Sequence, residues 1–161
     1  MKELNEKVAI VTGAGSGFGR AMAELYAKEG AKVVVSDIAV ESGEETTHLI
    51  TSAGGDAIFV KTDVGNASEC EHLVKETVKK YGKLNIAFNN AGIGGANARI
   101  GEYPVDNWDK VISINLSSVF YGMHYQIPEM LKAGGGAIVN TSSILGLVGF
   151  GGSPAYVAAK H

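Results

Sequence analysis

The sequence is short of cysteine, net charge, long apolar runs and metal-ligating clusters, and each shortage closes off a class of protein. Cys70 is its one cysteine, so no internal disulfide can form and a reducing compartment, the cytoplasm, is the simpler setting. The formal net charge is −3 and no lysine or arginine cluster stands out, which argues against nucleic acid or an anionic membrane surface as partner. No apolar run approaches the ~18–20 residues that a membrane-spanning helix needs. The leading MKELNEK gives way to a short apolar run ending in Gly13, which is not the pattern of a secretory signal. His48, His72, His124 and His161 lack ligand spacing, and no Cys/His/Asp cluster suggests a structural metal.

What is abundant is glycine, 22 of 161 residues against 3 prolines, and its placement is informative. With 45% hydrophobic and 19% charged residues, the chain suits one soluble domain, 1–161, with a real core. Five nearly unbroken, β-branched runs read as strands buried on both faces: KVAIVTG (7–13), AKVVVSD (31–37), DAIFVKTD (56–63), KLNIAFNN (83–90) and GAIVNTS (136–142). Between them, 19–30, 41–53, 66–81 and 106–133 carry Ala, Leu, Glu and Lys at helical spacing. Gly30, Gly82 and Gly134–Gly136 close three of these helices. The alternation predicts βαβ units, hence an α/β fold with a doubly wound parallel sheet and helices on both faces. There is no repeat, low-complexity linker or internal domain boundary.

The first strand exits into Thr12-Gly13-Ala14-Gly15-Ser16-Gly17-Phe18-Gly19, and a helix begins at about Gly17. Glycines there let the backbone approach a ligand closely, and the helix start points free N–H groups at an anion. A flexible turn is the plainer account, but a strand before and a helix after favour a phosphate cradle. The spacing is T-G-x-x-x-G-x-G, which differs from the G-x-G-x-x-G of many dinucleotide sites. Asp37 ends the second strand, where a carboxylate accepts hydrogen bonds from an adenosine ribose. Its alternative is an ordinary turn or cap residue. A carboxylate here repels a 2′-phosphate, and Ile38 beside it brings no positive charge, so NAD is favoured over NADP.

The chain ends in SPAYVAAKH (153–161). Ser153 and Pro154 suit an N-cap and a first helical turn. Tyr156 and Lys160, at i and i+4, then share one helix face. Free tyrosine titrates near 10, too high for an efficient base at neutrality. A nearby ammonium and a cationic nicotinamide ring each favour the phenolate. The pair is spaced for a lysine-assisted tyrosine base, although solvated helical neighbours are the commoner meaning of such spacing.

Taken in order, T-G-x-x-x-G-x-G at 12–19, Asp63-Val64, Asn89-Asn90-Ala91-Gly92, Asn115, Ser143 and Y-x-x-x-K at 156–160 resemble the classical short-chain dehydrogenase/reductase family along the whole chain. The resemblance implies a Rossmann fold, a nicotinamide cofactor (here NAD) and interconversion of a secondary alcohol and a ketone. It implies catalytic roles for Asn115, Ser143, Tyr156 and Lys160. Family spacing selects Ser143 over Ser142 as the hydroxyl that polarises the substrate oxygen. Asn115 would hold a water linking Lys160 to solvent. Cofactor contacts are implied at Gly13, Ser16, Gly17, Phe18, Gly19, Asp37, Ile38, Asp63, Val64, Asn89, Ala91, Gly92, Tyr156 and Lys160, with Asp63 on the adenine amino group. Phe18 departs from the smaller aliphatic residue common there. The implied partners are a small alcohol or ketone and further copies of the chain, as a dimer or tetramer.

Family members are longer, and the resemblance expects the rest of the Tyr156 helix, two further strands and a mobile segment over the substrate. A helix of about two turns is marginal unless packed, and the fifth strand becomes an open apolar edge. Three readings stay open: part of a longer polypeptide, an association that supplies the missing part, or a short non-catalytic protein. The function is accordingly an NAD(H)-dependent oxidoreductase or a dinucleotide-binding module without turnover. The complete Asn-Ser-Tyr-Lys set favours the oxidoreductase. Ile144, Leu145 and Gly146 hint at an apolar lining and leave the substrate unspecified.

Overall fold

Strands and helices alternate through the computed structural model, which describes residues 3–161. They run β1 (Val8–Thr12), α1 (Gly17–Lys28), β2 (Lys32–Asp37), α2 (Val40–Ser52), β3 (Asp56–Lys61), α3 (Ala67–Tyr81), β4 (Ile86–Asn89), α4 (Val105–Ile112), α5 (Ser118–Lys132), β5 (Ala137–Asn140) and α6 (Pro154–Lys160). The strands form one parallel sheet in the order β3-β2-β1-β4-β5. The expected doubly wound α/β architecture is what the chain adopts, with strands a residue or more shorter than the apolar runs.

β1 and β2 are covered on both faces, as their apolar runs lead one to expect, whereas β5 is mostly exposed and β3 is exposed at both ends. Side chains alternate across a pleated strand, so Ala9, Val11, Val33 and Val35 meet Ala23 and Ala27 of α1 and Ile50 of α2. Ile10 and Val34 point the other way, toward Leu73 and Val74 of α3 and Met130 of α5. β1 is buried at every position, in register with β2 on one side (Ile10 beside Val34) and β4 on the other (Ile10 beside Ala87). Gly82 ends α3 in the left-handed conformation, φ 78°, with its N–H on the Val78 carbonyl.

One expectation changes. The stretch 106–133 is not a single helix: α4 and α5 are joined by a π-helical turn, Ser113–Ser117. A π turn carries an extra residue per turn. That extra residue brings Asn115 into the interior, where its amide has backbone partners described below.

Helix α6 is two turns long and is held by packing. Ala155 and Ala159 are buried against Tyr103 and Val111, with Trp108 and Ile112 alongside. Pro154 occupies the first turn as expected, whereas the Ser153 side chain makes no capping bond. β5 pairs only with β4, and Val139 is 49% exposed on this edge. Cys70 is buried, and burial, then Asp63 and Glu69, push its thiol up to about 11. Among the described residues, no helix is long and apolar enough to cross a membrane.

A buried polar contact fixes α5 to the sheet. Gln126 Nε2 donates to Asn89 Oδ1 at 2.8 Å, and Asn89 Nδ2 donates to Gln126 Oε1 at 3.2 Å. Asn89 Nδ2 also reaches Asn140 Oδ1 at 2.9 Å, which ties in β5. Gln126→Leu removes one partner and leaves the Asn89 amide buried and short of bonds. The expected cost is ~1–3 kcal/mol of stability, read by urea unfolding. A variant as stable as the parent would show that this contact does not hold α5 in place.

Candidate active site

The site lies at the carboxyl ends of β1 and β4, where the strand order sends successive connections to opposite sides of the sheet. The two exits are clasped together. Thr12 Oγ1 accepts from the Asn90 and Ala91 N–H groups at 3.0 and 3.1 Å, and Asn90 Nδ2 donates to the Thr12 carbonyl at 3.1 Å. Gly13 turns away with φ 63°, and a Cβ there would stand 2.9 Å from Ala91 Cα. The glycine therefore lets the two backbones touch.

A cleft of about 430 Å³ opens above this clasp. One wall is the start of α1, with Gly13, Ser16, Gly17 and Phe18. Ser16 occupies the N-cap position without a capping bond, so its hydroxyl and the first α1 N–H groups are available to an anion. The outer rim is Asp37 and Ile38, the floor is Thr62, Asp63 and Val64, and the far wall is Asn90, Ala91, Gly92, Ile93 and Ile114. Phe18 is 81% exposed at the rim. The Asp37 carboxylate is already oriented: Oδ2 accepts from Gly15 N–H at 2.8 Å and Oδ1 from Ala39 N–H at 2.9 Å. Each oxygen keeps a lone pair for a hydroxyl. Asp63 Oδ1 accepts from Gly65 N–H at 3.0 Å.

At the Ile93 end stand the other candidates. Asn115 pairs with the Ile93 backbone at both ends of its amide, accepting from the N–H at 2.8 Å and donating to the carbonyl at 2.8 Å. Tyr156 packs on the cluster that includes Ile93 and Trp108. Lys160 Nζ donates to the Thr141 carbonyl at 2.7 Å and lies 5.8 Å from the centre of the Tyr156 ring. Burial lowers the Lys160 pKa. Ser143 Oγ accepts from Leu145 N–H at 3.2 Å, at the head of a short 3-10 turn, Ile144–Gly146. The loop 91–99 is fastened at three points: by Asn115, by Ala96 N–H on Asn107 Oδ1 at 2.7 Å, and by Ala98 N–H on the Gly152 carbonyl at 2.9 Å.

Ten of the residues singled out from the sequence line this cleft: Gly13, Ser16, Gly17, Phe18, Asp37, Ile38, Asp63, Val64, Ala91 and Gly92. Asn115, Ser143, Tyr156 and Lys160 lie outside its lining, Asn115 and Tyr156 joined to it through Ile93 and Lys160 held on Thr141, and two more face elsewhere. Asn89 turns its amide to Gln126 and Asn140 behind the sheet, and Asn90 takes the place on the cleft wall. Gly19 lies under the loop, where a Cβ would collide with the Gly13 carbonyl, so it serves close packing of α1. Thr12, which opens the glycine motif, joins the two strand exits instead of lining the cleft. Thr62, Ile93, Ile114 and Thr141 make backbone or wall contacts that residue type does not announce.

Comparison with known proteins decides the family. The model of the family described as short chain dehydrogenase matches residues 7–161. The chain belongs to the short-chain dehydrogenase/reductase family. As a member it is 46% identical to the cyclohexanol dehydrogenase of Acinetobacter sp. (strain SE19), over 99% of this chain and 63% of that enzyme. It is 44% identical to the 3beta-hydroxysteroid dehydrogenase of Mediterraneibacter gnavus, over 100% of this chain and 58% of that enzyme. A short-chain dehydrogenase/reductase from Burkholderia phymatum, solved in complex with NAD, is 37% identical with a TM-score of 0.95, over 100% of this chain and 57% of that one. The chain thus spans about 60% of the length of the relatives it matches.

The residues present fit a dinucleotide. A glycine-lined helix start suits a pyrophosphate, and a carboxylate with a free lone pair on each oxygen suits a ribose diol. Asn115 is the linchpin between this cleft and the Tyr156 end. Asn115→Asp keeps the acceptor for Ile93 N–H but sets a carboxylate oxygen on the Ile93 carbonyl. It should cost ~1–3 kcal/mol at neutral pH, and the cost should shrink on acidification, because a protonated carboxyl donates to that carbonyl again. Urea unfolding at neutral and acidic pH checks the sign, and a pH-independent cost would contradict the pairing.

Proposed function

We propose that the protein is an NAD(H)-dependent oxidoreductase that interconverts a secondary alcohol and a ketone, with Tyr156 as the acid/base. The observation that carries this reading is Lys160, a partly buried ammonium held on Thr141 and 5.8 Å from the Tyr156 ring. A lysine so placed sets its ammonium beside the proposed proton-transfer group, within reach of a bound cofactor's ribose. When bound, nicotinamide supplies the acceptor for the hydride that leaves the alcohol carbon. Tyr156 takes the hydroxyl proton on its phenolic oxygen. Ser143 Oγ, already an acceptor toward Leu145, keeps its own hydrogen to donate to the substrate oxygen. Lys160 has two further N–H groups for a ribose hydroxyl. Asn115 keeps one lone pair and one N–H beyond its Ile93 bonds for a water on the route from Lys160 to solvent. Asp63 is the proposed partner of the adenine amino group.

Exposed Ile144, Leu147 and Phe150 beyond Ser143, together with the names of the relatives, support an alicyclic secondary alcohol as substrate class. The buried, reduced Cys70 accords with a cytoplasmic setting. Leu116, Phe120, Ile127 and Leu131 stand exposed along one side of the π turn and α5 and support a homo-oligomer that buries them. Light scattering should then give a dimer or tetramer mass, and a monomer at assay concentrations would contradict it.

Tyr156→Phe should lower turnover of cyclohexanol with NAD+ by at least ~100-fold while NADH affinity changes little. Substantial turnover in that variant would remove Tyr156 as the proton-transfer group. The unmodified protein should bind NADH more tightly than NADPH, and Asp37→Ala should reduce that preference. Equal or tighter NADPH binding by the unmodified protein would overturn the choice of cofactor.

A further inference from the structure

Arg20 stands in the first turn of α1, where a cation opposes the helix dipole. Its guanidinium folds back toward the glycine loop and α2. Nε and Nη2 both donate to the Gly15 carbonyl, at 3.1 and 2.6 Å. Nε also reaches Thr46 Oγ1 at 3.0 Å, and Nη2 meets Glu45 Oε2 at 2.6 Å. The N–H of the same Gly15 donates to Asp37 Oδ2 at 2.8 Å. One glycine therefore carries the ribose-facing carboxylate on its N–H and a guanidinium on its carbonyl. The guanidinium and the carboxylate are thus joined through a single residue.

An uncompensated guanidinium here would attract a 2′-phosphate and oppose the discrimination that Asp37 exerts. Glu45 supplies the compensation. The side chains of Arg20 and Glu45 are 27% and 60% exposed, so the pair adds little to stability. Its consequence is electrostatic.

We infer that Glu45 is a second specificity-determining residue for the cofactor, acting through Arg20: the two form a charge-balanced pair on the glycine-loop residue that holds Asp37, and Glu45 keeps Arg20 from recruiting a 2′-phosphate. This rests on the NAD(H) reading above and adds to it a residue beyond the strand-ending carboxylate. Discrimination then has two parts. Asp37 repels the extra phosphate directly, and Glu45 cancels the cation that would welcome it.

The test is a set of NADH and NADPH fluorescence titrations on the unmodified protein, Glu45→Gln, Arg20→Gln and the double variant, with thermal unfolding confirming the fold of each. Glu45→Gln leaves the pair with a net positive charge and should improve NADPH binding relative to NADH, by roughly fivefold at low ionic strength, the unscreened Coulombic size for a dianion in near-aqueous surroundings, and by roughly twofold at physiological salt. Arg20→Gln leaves it negative and should move the ratio the opposite way. The double variant should return close to the parent ratio, and all these shifts should fade as salt rises. A pair that only held the loop would make both single variants shift together, and that outcome overturns the inference. So does an unchanged ratio in Glu45→Gln, the exposed site on which the decision rests if Arg20→Gln does not fold. If the unmodified protein prefers NADPH, the reading of Asp37 fails, while the direction of the two opposed shifts still decides for or against the pair.

Discussion

The clasp between Thr12 and Asn90 is the contact on which the rest of the site depends. In a parallel sheet ordered β3-β2-β1-β4-β5, the connections leaving β1 and β4 diverge, and a crevice forms between them. Left to themselves, those two exits would be two independent loops. The Thr12 hydroxyl accepts from two successive N–H groups of the β4 exit, and the Asn90 amide returns a bond to the Thr12 carbonyl. The glycine loop is thereby held at a set distance from the far wall. Thr141 Oγ1 donates to Asn90 Oδ1 at 3.3 Å, and the Thr141 carbonyl receives Lys160. A continuous chain of bonds runs from the glycine loop to the ammonium beside Tyr156.

Polar groups in this site are oriented by hydrogen bonds to the protein's own backbone. Asp37 is aimed by two backbone N–H groups, Asn115 is locked on Ile93, and Ser143 accepts from Leu145. Preorganised dipoles need no rearrangement when charge develops, which is where electrostatic catalysis gains most. Lys160 has the same character with a cost attached. Burial lowers its pKa, so the structure carries the expense of a partly desolvated cation and holds it against a carbonyl and an aromatic ring. On the proposed reading, that expense is tolerated because the ammonium stands beside the proton-transfer group, within reach of a bound cofactor's ribose.

Much of this was legible in the sequence, for physical reasons that can be named. Strands buried on both faces must be apolar, which made β1 and β2 plain; β5 carries the same kind of apolar run but lies mostly exposed at the edge of the sheet. The glycine loop and Asp37 follow from backbone and hydroxyl chemistry that few other residues serve. Asn115 in Ser113–Ser117 is an awkward residue for a helix interior, but the π turn itself was hidden, because its partner Ile93 lies far along the chain. Asn89 and Asn90 were indistinguishable by type. Alternation along β4 sends Asn89 to Gln126 and leaves Asn90 beyond the strand to face the cleft. The role of Arg20 has no local sequence signal, since the carbonyl and carboxylate it joins come from a loop and another helix.

The most direct test of the account is the position of NAD+ in crystals of the protein grown with it. The account predicts the adenosine ribose hydroxyls on the Asp37 carboxylate, the pyrophosphate at the start of α1, and the nicotinamide beside Tyr156 and Lys160. A dinucleotide lying elsewhere, or running in the opposite direction through the cleft, would contradict it.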